Sequence, residues 1–74
     1  MTRMQIRLDT QSDVRKFVGL ATHIESPVHL EDGTGYRANA KSLLGVMYGM
    51  AEFNNLYVVS EDGSIYNSFK EFAV

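Results

Sequence analysis

The sequence predicts an α+β domain, one sheet with helices packed on a single face, in the order β-α-β-β-α-β-α. Three features carry this expectation. Short stretches alternate apolar and polar residues, two longer ones repeat apolar residues at helical spacing, and clusters of Gly, Asn, Asp and Ser separate them. Each predicted helix has one apolar stripe to bury, and a shared sheet face is the economical place for it.

The first strand is read from Met4, Ile6 and Leu8, which alternate with Gln5 and Arg7. Thr10 then stands three residues before Asp13, the spacing of a capping box at the positive end of a helix dipole. Val14, Phe17, Val18 and Ala21, extended by Leu20 and Ile24, give that helix its buried stripe, from about Gln11 to His23, with Ser26-Pro27 ending it. Val28 and Leu30 form a second strand, and Asp32-Gly33-Thr34-Gly35 turns the chain into a third at Tyr36–Ala40.

Ser42 precedes Leu43, Leu44, Val46, Met47 and Met50, which predict a second helix of about three turns. Gly45 and Gly49 weaken it and point to close approach. Leu56-Tyr57-Val58-Val59 reads as the fourth strand. A serine cap at Ser64, with Ile65, Phe69 and Phe72, predicts a short third helix lying on the core.

The chain of 74 residues has room for one core, so residues 1–74 are read as one domain. It contains no cysteine, which excludes disulfides, thiolate catalysis and cysteine-based metal sites. Seven Lys and Arg against nine Asp and Glu leave a formal charge of −2, without the basic excess that a phosphate backbone would require. Nucleic acid is therefore not an expected partner. No apolar run approaches the roughly 20 residues that span a bilayer, and Met1–Gln5 lacks the hydrophobic stretch of a signal peptide. The expectation is a soluble cytoplasmic protein with no membrane contact. No dinucleotide or phosphate-loop motif is present, Gly33-Thr34-Gly35 being accounted for by the turn, and neither a cofactor nor a metal is expected.

The segment Ala40-Lys41-Ser42-Leu43-Leu44-Gly45-Val46-Met47, between a hairpin and a strand, resembles the regulatory-serine segment of HPr, the histidine-containing phosphocarrier family of the sugar phosphotransferase system. The element order is similar along the whole chain, and the motif itself covers about Ala40 to Met50. The resemblance implies an open-faced β-sandwich with a four-stranded antiparallel sheet and three helices on one side. It also implies a phosphate-carrying histidine just before the first helix, followed shortly by an arginine and a proline. Here that segment reads Asp9-Thr10-Gln11-Ser12-Asp13-Val14-Arg15-Lys16, without histidine or proline.

No catalytic residue is therefore assigned. Thr10 or Ser12 would form a phosphoester too stable to relay the group onward, and Asp9 and Asp13 repel an incoming phosphodonor. His23 falls near the end of the first helix and His29 in the second strand, and both are read as ordinary histidines. The resemblance makes Ser42 a candidate for regulatory phosphorylation, with Lys41 and Arg15 as candidate anion contacts, although a plain helix cap also explains Ser42. It makes Leu43, Leu44 and Met47 candidates for docking a protein partner, because the second helix carries more apolar residues than one stripe buries.

The expected function is a non-catalytic HPr-like regulatory or docking module. Its expected partners are phosphotransferase-system components, a regulatory kinase or a transcriptional regulator. The alternatives are a phosphocarrier with a different acceptor and a small structural protein that dimerises through the second helix or an exposed sheet edge.

Overall fold

The computed structural model describes all 74 residues. They form β1 (Thr2–Ile6), α1 (Gln11–Thr22), β2 (Val28–Glu31), β3 (Arg37–Asn39), α2 (Leu43–Glu52), β4 (Leu56–Ser60) and α3 (Ile65–Ser68), followed by a 3₁₀ turn at Lys70–Phe72. The strands make one open sheet in the order β1-β4-β2-β3, and every neighbouring pair is antiparallel.

The register sorts side chains into two faces, because residues directly opposite each other across a ladder share a face. Met4, Val58, Leu30 and Ala38 lie in one row across all four strands, with Ile6 opposite Leu56 beside it. These residues join a single core with Val14, Phe17 and Ala21 of α1, Val46 of α2, and Ile65, Phe69 and Phe72. The Phe17 ring lies 4.7 Å from that of Phe69 and meets Phe72 edge-on at 6.1 Å, which ties the end of the chain to α1. The opposite face carries Arg3, Val59, His29 and Asn39 in one row and Gln5, Tyr57, Glu31 and Arg37 in the next. There the Arg3 guanidinium stacks 4.1 Å over the Tyr57 ring, and Arg37 pairs with Glu31.

Several boundaries differ from the sequence expectation. β1 begins at Thr2 and ends at Ile6, so Leu8 leaves the ladder yet stays buried against the core. α1 stops at Thr22, and His23 serves as its C-cap, before the Ser26-Pro27 signal. β3 is only three residues, because Asp32 and Tyr36 belong to the reversal, where Gly33 and Gly35 take φ of 89° and 115°. Ser64 was expected to cap the third helix, but its side chain makes no capping bond. The Asp62 carboxylate instead accepts from the Ser64 amide at 2.9 Å. Two residues earlier, Ser60 is buried and ties β4 to the start of β2 by donating to the Pro27 carbonyl at 2.9 Å.

The placement of α2 is set by glycine. A Cβ at Gly49 would fall 2.8 Å from Leu30 Cδ2 and 3.1 Å from Phe53 Cε2, so only glycine lets the helix come this close to the sheet. No helix is long and apolar enough to cross a membrane.

Two stability predictions follow from this packing. Gly49→Ala should lose roughly 1 kcal/mol net, because overpacking against the fully buried Leu30 outweighs the gain in helix propensity. Gly19→Ala, with nothing within 4 Å of the new Cβ, should gain about 0.5–1 kcal/mol. Urea unfolding of both variants checks the opposite signs.

The carboxyls of Asp32 and Asp62 are held below the usual carboxylate range, chiefly by the amide hydrogen bonds they accept from Thr34 and Ser64. This stabilisation is complete above the ordinary value, about pH 4, and is lost as pH falls through the lower folded values. Urea midpoints measured from neutral to strongly acid pH should fall less steeply for Asp32→Asn than for the parent chain.

Candidate functional site

Two helix N-termini bear on function, and the chain treats them differently. At α1, the Thr10 hydroxyl accepts from the Asp13 amide at 3.0 Å. The Asp13 carboxylate reaches back to the amides of Asp9 at 2.9 Å and Thr10 at 3.2 Å. This is the capping box that the spacing predicted. Its consequence is that a carboxylate already occupies the positive end of the helix. The surface beside it is acidic as well: a shallow hollow is lined by Asp9, Asp13, Glu71 and Arg7, and Arg7 is already paired to Asp9 at 2.8 Å. Glu71 pairs with Lys16 at 2.8 Å and holds that ammonium above its usual pKa, first through the hydrogen bond.

Neither histidine is near this helix start. The His23 ring is at the other end of α1, its Nδ1 2.7 Å from the Gly19 carbonyl. His29 is half-buried on the open face of the sheet. No group of three or more His, Asp or Glu side chains is gathered where it could hold a metal ion.

At α2, the Ser42 hydroxyl accepts from the Gly45 amide at 3.1 Å, in the extended N-cap conformation. No acidic residue lies in the first turn of this helix. The two candidate anion contacts part here. Lys41, next to Ser42 in sequence, turns its ammonium to the carbonyls of Ile24 and Glu25 beyond the end of α1. Arg15 stands on α1 beside Leu43 and Met47, with which it lines a small hollow together with Gln11 and Val14.

The outward side of α2 is apolar. Leu43, Leu44, Met47 and Tyr48 are 43%, 79%, 39% and 61% exposed, while Val46 and Gly49 face the core. The three docking candidates therefore share one exposed surface. Tyr48 extends it, one turn beyond Leu44 on the same side. Its exposure was legible from that spacing, but an aromatic ring among so many apolar neighbours reads equally well as core. No family model matches the chain, and no curated protein matches it.

The α1 cap yields a direct test. Thr10→Ala should cost about 1 kcal/mol of stability and Thr10→Ser much less, since serine keeps the oxygen that the Asp13 amide needs. Thermal or urea unfolding of the two variants measures this difference.

Proposed function

We propose that the chain is an HPr-like domain acting in the cytoplasm as a regulatory or protein-docking module, without histidine phosphocarrier activity. One observation carries the reading: the Asp13 carboxylate sits on the amides at the start of α1, where the resemblance calls for a phosphorylated histidine. A phosphoryl group arriving there would meet Asp9 and Asp13 in place of a nucleophilic imidazole. The four-stranded antiparallel sheet, the three helices and the element order are those the resemblance implies, and they support this reading.

The working surface is the exposed side of α2. Leu43, Leu44 and Met47, joined by Tyr48, offer an adaptable apolar patch to a protein partner. A phosphate on Ser42 would add about two negative charges beside this patch, at the positive end of α2. Modification would then change which partners dock. The partners proposed are components of the phosphotransferase system, a regulatory kinase and a transcriptional regulator.

The test is incubation with phosphoenolpyruvate and the general phosphotransferase enzyme, then with the regulatory kinase and ATP, each followed by intact mass. We expect no acid-labile phosphate in the first reaction. In the second we expect an acid-stable phosphate that is absent from Ser42→Ala. An acid-labile adduct would overturn the non-carrier reading, and equal uptake by Ser42→Ala would remove Ser42 as the modified residue.

A further inference from the structure

Between α1 and α2 the exposed patch continues into a groove. Arg15, Leu43 and Met47 line one hollow, and Met47, Met50 and Ala51 line the next, of about 260 Å³, with Gln11 and Val14 forming the α1 wall of both. Every residue of this groove is neutral except Arg15. The other cations are spent, apart from Lys70 in the last turn of the chain, which is not on the groove. Arg7, Lys16 and Arg37 are in ion pairs, Arg3 covers Tyr57, and Lys41 is bonded to backbone carbonyls. Arg15 is exposed and takes part in none of the ion pairs or side-chain hydrogen bonds of the molecule. The nearest carboxylate along α1, Asp13, is held by the amides of Asp9 and Thr10.

A guanidinium at the rim of an apolar groove loses water when a partner covers it, and that loss is costly unless the partner returns a charge-assisted hydrogen bond. We infer that the groove takes a peptide segment that inserts apolar side chains over Met47 and Met50 and sets a carboxylate against Arg15. This rests on the docking reading of α2 and names its partner: an acidic, amphipathic segment. The net charge of −2 governs approach at long range, whereas the buried pair governs register and selectivity at contact. A basic segment would leave two like charges together in a site emptied of water.

The probe is a library of random linear peptides displayed on phage and selected against the full chain, its Arg15→Glu variant, and two groove variants, Met47→Asp and Leu43→Asp. Circular dichroism verifies the fold of each. We expect peptides pairing Asp or Glu with Leu, Met or Phe, lost on Met47→Asp or Leu43→Asp. Arg15→Glu should bind these peptides roughly tenfold or more weakly and should select Lys or Arg in place of the acid. Peptides that depend on Met47 or Leu43 but show no acidic bias, or that bind Arg15→Glu equally well, overturn this inference and leave docking intact. Failure to enrich any peptide, or enrichment indifferent to both groove variants, overturns the docking reading and this one with it.

Discussion

The position of α2 depends on the absence of a side chain at Gly49. The helix backbone rests against Leu30, a fully buried residue in the middle row of the sheet, with no space for a methyl group between them. Gly45, one turn earlier, lies similarly near the carbonyl of Asn39, where a Cβ would come within 3.2 Å. A helix lowered onto the sheet in this way buries Val46 completely with a narrow stripe. Met50 packs against the edge of the core, while Leu43, Leu44, Met47 and Tyr48 stay outside it and form an outward surface. Packing and candidate function are thus two consequences of one backbone contact.

Charge is distributed with the same economy. The start of α1 satisfies its own amides with Thr10 and Asp13, and its surroundings are lined with carboxylates. The start of α2 has the Ser42 hydroxyl alone and no acid in its first turn. An anion added at Ser42 meets a helix dipole that nothing else has neutralised, whereas one added near Thr10 meets two aspartates. This asymmetry separates the regulatory reading from the carrier reading, and it is written in side chains within a few residues of each helix end.

Much of this was legible in the sequence because its causes are local. The Thr10–Asp13 capping box, the Asp32–Gly35 reversal, the Ser42 cap and the excess of apolar residues on α2 all depend on spacing over a few positions. What was missed is longer in range or shared between neighbours. Lys41 bonds to carbonyls 16 and 17 residues away, which no local pattern announces. Strand order was equally hidden, since β4 inserts between β1 and β2 only through pairing distant along the chain. Ser64 has the residue type of a cap, yet its backbone is already helical, with φ −63° and ψ −13°, and lacks the extended conformation from which Thr10 and Ser42 reach an amide in their helices. Leu8 continued the alternation of β1 but belongs to the connection, because burial alone does not require a ladder partner.

The central claim is that the outward residues of α2 serve binding and contribute little to folding. Urea unfolding of a Leu44→Gln, Tyr48→Gln double variant, followed by circular dichroism, tests it most directly. The account predicts unchanged helix content and an unfolding free energy within about 1 kcal/mol of the parent chain, the edge-on contact of the Tyr48 ring with Phe53 at 6.2 Å being the one interaction lost. A loss of roughly 2 kcal/mol or more would mean that these side chains hold the fold together, and would contradict it.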